Sequence, residues 1–288
     1  MDLPSQAIWQ GFFNGIALGW IYILMALGLT LIFGIMNIMQ FAHGEIYMVG
    51  AYVVYYLTAS NGVNLFVATL LSMIVMAVFG IFLERLLFRH VRGQVLSPIV
   101  VSVGLTLILQ SGAVAGFGVY ERSVPRLSQG SFEIVGSMIP KDRIVAVVCA
   151  MTLILVLYVF LKRFKYGQAM VASAQHREGA ILQGISPNKM SAMAMAIGCS
   201  LAAAGGALAG SLLMLDPFMG TQPLLKGLVI IVLGGMGSLL GAAIGGMIVG
   251  LIDGLVPILF GPAPASLLPL IIVIFILVVR PRGLFGHE

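Results

Sequence analysis

Few residues of this 288-residue chain could do chemistry, and they lie where charge is costly. The hexad Gln40-Phe41-Ala42-His43-Gly44-Glu45 sets an amide, an imidazole and a carboxylate between two apolar runs long enough to cross a bilayer. Ionisable groups at membrane depth are expensive, so they mark solute paths by default. The same hexad would also suit a cytoplasmic turn with its side chains in water, and the pattern leaves both readings open. It does not indicate a metal site, because His43 and Glu45 have no other His or Cys near them in sequence. Asp216, Lys226 and Asp253 are the remaining charges in apolar surroundings. Asp216 precedes Pro217 and suits a helix end. Lys226 suits a helix start from which it can snorkel. Asp253 fits a structural or interfacial role better than a proton relay. Cys149 and Cys199 sit inside apolar runs as small hydrophobes.

The elements that must position these groups are membrane helices. Charged residues make up 9% of the chain, against about a quarter in soluble domains, and the mean hydropathy is +1.10. Too few charges are present to cover a water-soluble globule, and disorder requires low hydrophobicity. A β-barrel is excluded as well, because it alternates polar and apolar residues over short strands. Seven stretches lack Asp, Glu, Lys and Arg: 3–44, 46–83, 93–120, 144–161, 190–215, 227–252 and 254–279. A span takes about 20 apolar residues, so the run 46–83, split at Ser60-Asn61-Gly62-Val63-Asn64, holds two and the chain about eight. The expected fold is all-α: a single transmembrane domain over 1–288, a polytopic helical bundle with broken or half-spanning helices and a cytoplasmic coupling helix. The N-terminus lacks the basic flank of a signal peptide and reads as a first span.

Basic residues orient the spans. Three clusters mark the cytoplasmic side: Arg85, Arg89 and Arg92; Lys162, Arg163, Lys165, Arg177 and Lys189; and Arg280 with Arg282. The loop 121–143, one span from each of the first two, falls outside although it carries Arg122, Arg126, Lys141 and Arg143. The N-terminus then falls outside and the C-terminus inside. Returning the chain from Asp216 to Arg280 requires an odd number of crossings. Three fit if the first is short, about Leu224 to Gly235, and Gly234-Gly235-Met236-Gly237 breaks the helix.

There are 36 glycines. Gly237, Gly241 and Gly245 recur every fourth position, the spacing that lets spanning helices approach closely. Tight packing alone would explain them. A broken helix lining a path would explain Gly234, Gly235 and Gly237 equally well, since irregular backbone in a membrane survives only inside protein or beside a cavity. The stretch 162–189 is a cytoplasmic loop by charge but rich in Ala. Ala169, Ala172, His176 and Ala180 can share one face of a short helix, which suits docking into a partner's groove or simply an amphipathic loop helix.

Four motifs in order resemble the LivH-type permease subunits of bacterial branched-chain amino-acid ABC importers. They are Gly28-Leu29-Thr30-Leu31-Ile32-Phe33-Gly34 with Phe41-Ala42-His43-Gly44-Glu45 and Gly50-Ala51-Tyr52; Gln175-His176-Arg177-Glu178 with Leu182-Gln183-Gly184-Ile185; Val232-Leu233-Gly234-Gly235-Met236-Gly237-Ser238 with Gly241-Ala242 and Gly245-Gly246; and Arg280-Pro281-Arg282-Gly283-Leu284-Phe285-Gly286. The resemblance implies a multi-pass permease of the bacterial inner membrane. Its partners would be a LivM-like sister permease, two ABC ATPases and a periplasmic binding protein, with lipid around it and no nucleic acid.

It also implies no enzymatic activity and no cofactor in this chain, ATP being bound by the partner subunits. The sequence holds no Gly-x-x-x-x-Gly-Lys-Ser/Thr phosphate loop. Gln40, Phe41, His43 and Glu45 would lie beside the translocation path near the start of a pore-lining helix 44–58, His43 capping or orienting Glu45, with Gly234, Gly235 and Gly237 also beside the path. Ala172, Ala174, Arg177, Glu178, Ala180 and Gly184 would belong to a coupling helix over 168–184. Gln40 stands where the family usually has Asn, Val171 where a basic residue is common, His176 where Asn or Asp is usual, and Gly179 where Ala is common. The rival reading is an ion-coupled secondary carrier. It requires carboxylates facing each other at mid-depth, and Glu45 and Asp253 are the pair available.

Overall fold

The computed structural model describes residues 5–94, 96–124, 130–134, 136–280 and 283–285. Arg126, Pro281, Arg282 and Gly286 lie outside the described residues. The bundle opens with α1 (Ser5–Met36), and then Asn37–Ala42 lead without regular structure into α2 (His43–Tyr55). A π-helical turn, Tyr56–Ser60, ends α2. Next come α3 (Leu65–Leu83), a second π-helical turn and α4 (Arg89–Val91), then α5 (Ser97–Phe117). A hairpin of β1 (Ser131–Ile134) and β2 (Ser137–Pro140), antiparallel with Ser131 opposite Pro140, precedes α6 (Lys141–Arg163). After it come α7 (Lys165–Gln175), α8 (Arg177–Leu182), α9 (Pro187–Leu212), α10 (Thr221–Gly234), α11 (Leu239–Phe260) and α12 (Pro262–Val279). Among the described residues six helices are long and apolar enough to span a bilayer, and the helical stretches 221–234 and 267–279 are shorter.

The helix ends follow local chemistry. Asn37 takes φ 52 and stops α1. The Asn64 side chain accepts from Phe66 N at 3.0 Å to start α3, and Ser238 Oγ accepts from Gly241 N at 3.1 Å to start α11. Pro near the first position opens α5, α9 and α12.

The bundle has two sides. Ser137 Oγ donates to Gln6 O at 2.9 Å, so α1 begins on the hairpin side. Gly34, near its other end, faces Ala174 of α7. The 32 residues of α1 run ~48 Å, longer than the ~30 Å hydrocarbon core. Helix α9 runs the opposite way and ends beside Leu215, which pairs with Arg122 on the hairpin side.

Two half-length helices start inside this frame. His43 at the head of α2 lies against Gly28, ~12 Å back along α1 from Met36. From there α2 runs to the hairpin side, where Arg122 donates to Tyr55 Oη at 3.0 Å. Helix α10 starts at the same level, because a Cβ on Gly220 would lie 2.1 Å from Gly44 O and one on Gly44 would lie 2.3 Å from Gly220 O. It runs the other way, to the α7 side, where Gly235 meets Gly283.

The packing repeats with inverted direction. α1 lies on α11 as α9 lies on α3, and α10 lies on α1 as α2 lies on α9. α1 and α9 cross where Gly28 and Gly198 oppose each other's carbonyls. The run α1–α2–α3 and the run α9–α10–α11 are thus two inverted copies of one arrangement, whose short members meet head to head at mid-depth. That arrangement places substrate sites in transporters.

Several expectations change. The loop helix is not continuous over 168–184. His176 takes φ −149 and breaks it into α7 and α8, its Nδ1 accepting from Gly179 N at 2.8 Å, so His176 caps α8 rather than sharing a face with the alanines. Gly237 lies in the turn before α11 at φ 88, so Gly237, Gly241 and Gly245 are not one packing stripe. The expected short crossing Leu224–Gly235 corresponds to α10, and the break after Gly234 is present.

Candidate functional site

The head-to-head junction carries three buried polar side chains. Gln40 is 1% exposed, His43 0% and Glu45 1%, and Phe41 is half-buried. A solvated turn would expose them, so that reading fails. Glu45 Oε1 accepts from Gln110 Nε2 of α5 at 2.8 Å. Glu45 Oε2 and both polar side-chain atoms of Gln40 have no partner among the described residues, and neither do Thr30 Oγ1 and Tyr52 Oη; the His43 ring faces the Met25 backbone of α1 without a hydrogen bond of normal geometry. Each such buried group costs about 1–3 kcal/mol. The N-terminal amides of α2 and α10 add positive dipole ends at the same level. His43 neither caps α2, which has Ala42 and no side-chain cap, nor bonds Glu45. Gln110 holds the carboxylate instead. It is an amide mid-way along the apolar run 93–120, and that was its only signal in the sequence.

The glycine turn lies elsewhere. Gly234 and Gly241 touch backbone to backbone, with a Cβ on Gly241 lying 2.1 Å from Gly234 O, and Gly235 takes φ 100. This turn sits on the α7 side and, with Thr30, Gly34, Ala174 and Phe285, lines a cavity of about 670 Å³. The structure therefore does not bring Gly234, Gly235 and Gly237 together with the Gln40–Glu45 group. Above that cavity α7 packs on α1, α6 and α9. Ala174, Arg177, Glu178 and Gly184 are exposed, Ala172 is half-buried and Ala180 is buried. Leu182, 86% exposed, and Ile181 form an apolar tip on α8. Beside it Glu84, fully buried, pairs with Arg89 at 2.8 Å and with Arg92, which also donates to Asn188 at 3.1 Å. This network ties α4 to the start of α9.

Residues 11–279 match the profile of the family described as the permease component of the branched-chain amino acid transport system. The chain belongs to that permease family. It is a multi-pass membrane transport subunit and not an enzyme. Its relatives include the high-affinity branched-chain amino acid transport system permease protein BraD of Pseudomonas aeruginosa, 30% identical over 293 residues, 96% of this chain and 95% of that protein. The corresponding protein LivH of Salmonella typhimurium is 31% identical over 294 residues, with 96% and 95% coverage. LivH of Escherichia coli K12 is 30% identical over 293 residues, with the same coverage. No solved structure matches the chain.

In this permease the carboxylate pair that an ion-coupled carrier requires is not assembled. Asp253 of α11 pairs with Lys226 of α10 and accepts from Tyr22 Oη of α1 at 2.7 Å. Lys226 therefore does not snorkel; it lies over the Tyr22 ring, 5.2 Å from its centroid. The cluster fastens α10 to its two neighbours. Among the described residues no group of three or more His, Cys, Asp or Glu is placed to hold a metal.

Proposed function

We propose that this permease is the membrane subunit of an ATP-driven importer of branched-chain amino acids in the bacterial inner membrane. It works with a LivM-like sister permease, two ABC ATPases that bind the ATP, and a periplasmic binding protein. The names of the relatives support the substrate class. The observation that carries the reading is the junction at Gly44 and Gly220, where Gln40, His43 and Glu45 keep unpartnered polar atoms inside the bundle.

On this reading Gln40, Phe41, His43 and Glu45 border the path, and a leucine-like solute passes along apolar walls with an amide and a carboxylate within reach. Gly234, Gly235 and Gly237 border its cytoplasmic end. The α7–α8 pair docks into an ATPase through Ala172, Ala174, Arg177, Glu178, Ala180 and Gly184, and closure of the ATPases moves α1 and α9 through α7. Basic residues Arg85, Arg89, Lys162 and Arg163 cluster toward the α7 side, which supports a cytoplasmic α7 side, an external N-terminus and a cytoplasmic C-terminus. The reconstituted complex should take up labelled leucine, isoleucine or valine only with ATP and binding protein. Uptake of none of the three, with urea or a short amide transported instead, would contradict the substrate assignment.

A further inference from the structure

A second cavity, of about 500 Å³, lies between α6, α7 and α11 and is separate from the mid-depth junction. That size falls in the range of small-molecule sites, ~300–1,000 Å³. Its walls are apolar, with Leu27, Ile154, Leu157, Val171 and Ala243 among them. Lys162 is the one charged residue lining it among the described residues, at the end of α6. Its Nζ lies 4.9 Å from the centroid of the Tyr158 ring and makes no ion pair among the described residues. Arg163 and Lys165 follow at once, exposed and equally without ion pairs. Tyr158 and Leu240 of its lining are exposed, and the neighbouring flank of α6 carries Met151, Leu155 and Val159, also exposed. Such a flank on a spanning helix faces acyl chains.

We propose that this groove binds an anionic phospholipid, with an acyl chain between α6 and α11 and the headgroup phosphate on Lys162. The charge balance selects the occupant. An apolar slot ending at an unpaired cation near the membrane surface matches a lipid tail joined to a phosphate, and basic pockets between spans on the cytoplasmic side bind such headgroups. A zwitterionic headgroup would bring its own cation to a rim that already carries three. Leu161, Val171, Gln175, Leu239 and Leu240 line both this groove and the larger cavity. The bound tail therefore packs against α7 directly and stiffens the helix that carries the ATPase contact. The assignment does not depend on which solute is transported.

The test is lipid retention by the intact importer complex, purified in mild detergent and analysed for bound phospholipid. ATPase assays follow in vesicles of phosphatidylcholine alone or of phosphatidylcholine mixed with phosphatidylglycerol. Wild type should retain phosphatidylglycerol and hydrolyse ATP faster in the mixed vesicles. Lys162→Gln should lower retention roughly fivefold, as expected for one lysine at the surface. Ile154→Trp should abolish retention by filling the slot; Ile154 is half-buried and lines this groove but not the larger cavity. Both variants should elute as intact assemblies and lose the phosphatidylglycerol stimulation while keeping the phosphatidylcholine rate. Equal retention by wild type and both variants would overturn the proposal. So would release of the sister permease by Ile154→Trp, which would make the groove a subunit interface.

Discussion

Two glycine contacts hold the half-helix α10, one at each end, and they differ in what surrounds them. At Gly44 and Gly220 the backbones touch among Gln40, His43 and Glu45, which are buried and largely unpartnered. At Gly234 and Gly241 the backbones touch just as closely, and the C-terminal residues close over the turn through Gly283 and through Leu284 N donating to Leu233 O at 2.9 Å. A close glycine contact is therefore a packing device, and it does not by itself mark a path. The buried amide, imidazole and carboxylate distinguish the first contact from the second, beside which Thr30 Oγ1 is the buried unpartnered side-chain atom among the described residues. A third pattern separates both from Asp253, whose charge is matched by Lys226 and Tyr22.

Substitutions can break this contrast. Gly44→Val should have the largest effect, because its side chain would collide with Gly220 O and push the two helix heads apart. The cost should exceed ~3 kcal/mol, at the upper end of overpacking, and the complex should fail to assemble on a sizing column. Gly235→Val forces a β-branched residue to φ 100, a strain of about 1–3 kcal/mol. It should lower the melting temperature and slow transport, and transport at the wild-type rate would remove the turn from the account. Glu45→Gln keeps the shape and loses the charge. Uptake should fall about tenfold, ~1.4 kcal/mol of barrier, with assembly intact and ATPase stimulation by loaded binding protein retained. Glu178→Arg should do the reverse on the exposed α8. Assembly should persist while that stimulation drops roughly two- to fivefold, the scale of a surface charge contact; full stimulation would detach α8 from the coupling role.

Much of the fold was legible because desolvating charge is costly enough to clear Asp, Glu, Lys and Arg from the spans, so charge-free runs trace the helices. The short α10 and the break after Gly234 were legible from the glycines and from the parity of crossings. The return of Asn37–Ala42 to mid-depth was not. That stretch is as free of charge as the helix before it, and what distinguishes it is Asn37 at positive φ. The inverted relation was hidden because it depends on backbone direction and packing, which leave no run or period in the chain. The break at His176 was hidden because His is a weak cap beside Ser, Thr, Asp or Asn. At the site, Gln40, His43 and Glu45 were legible as costly groups between apolar runs. Gln110, sixty-five residues away from Glu45 in sequence, was not.

If the Gln40–Glu45 junction borders the translocation path, its polar side chains must matter to uptake. The most direct measurement is uptake of labelled leucine by the reconstituted complex carrying Gln40→Ala or Glu45→Ala, normalised to assembled complex. Both variants should assemble as wild type and slow uptake severalfold or more. Wild-type uptake by both would contradict it.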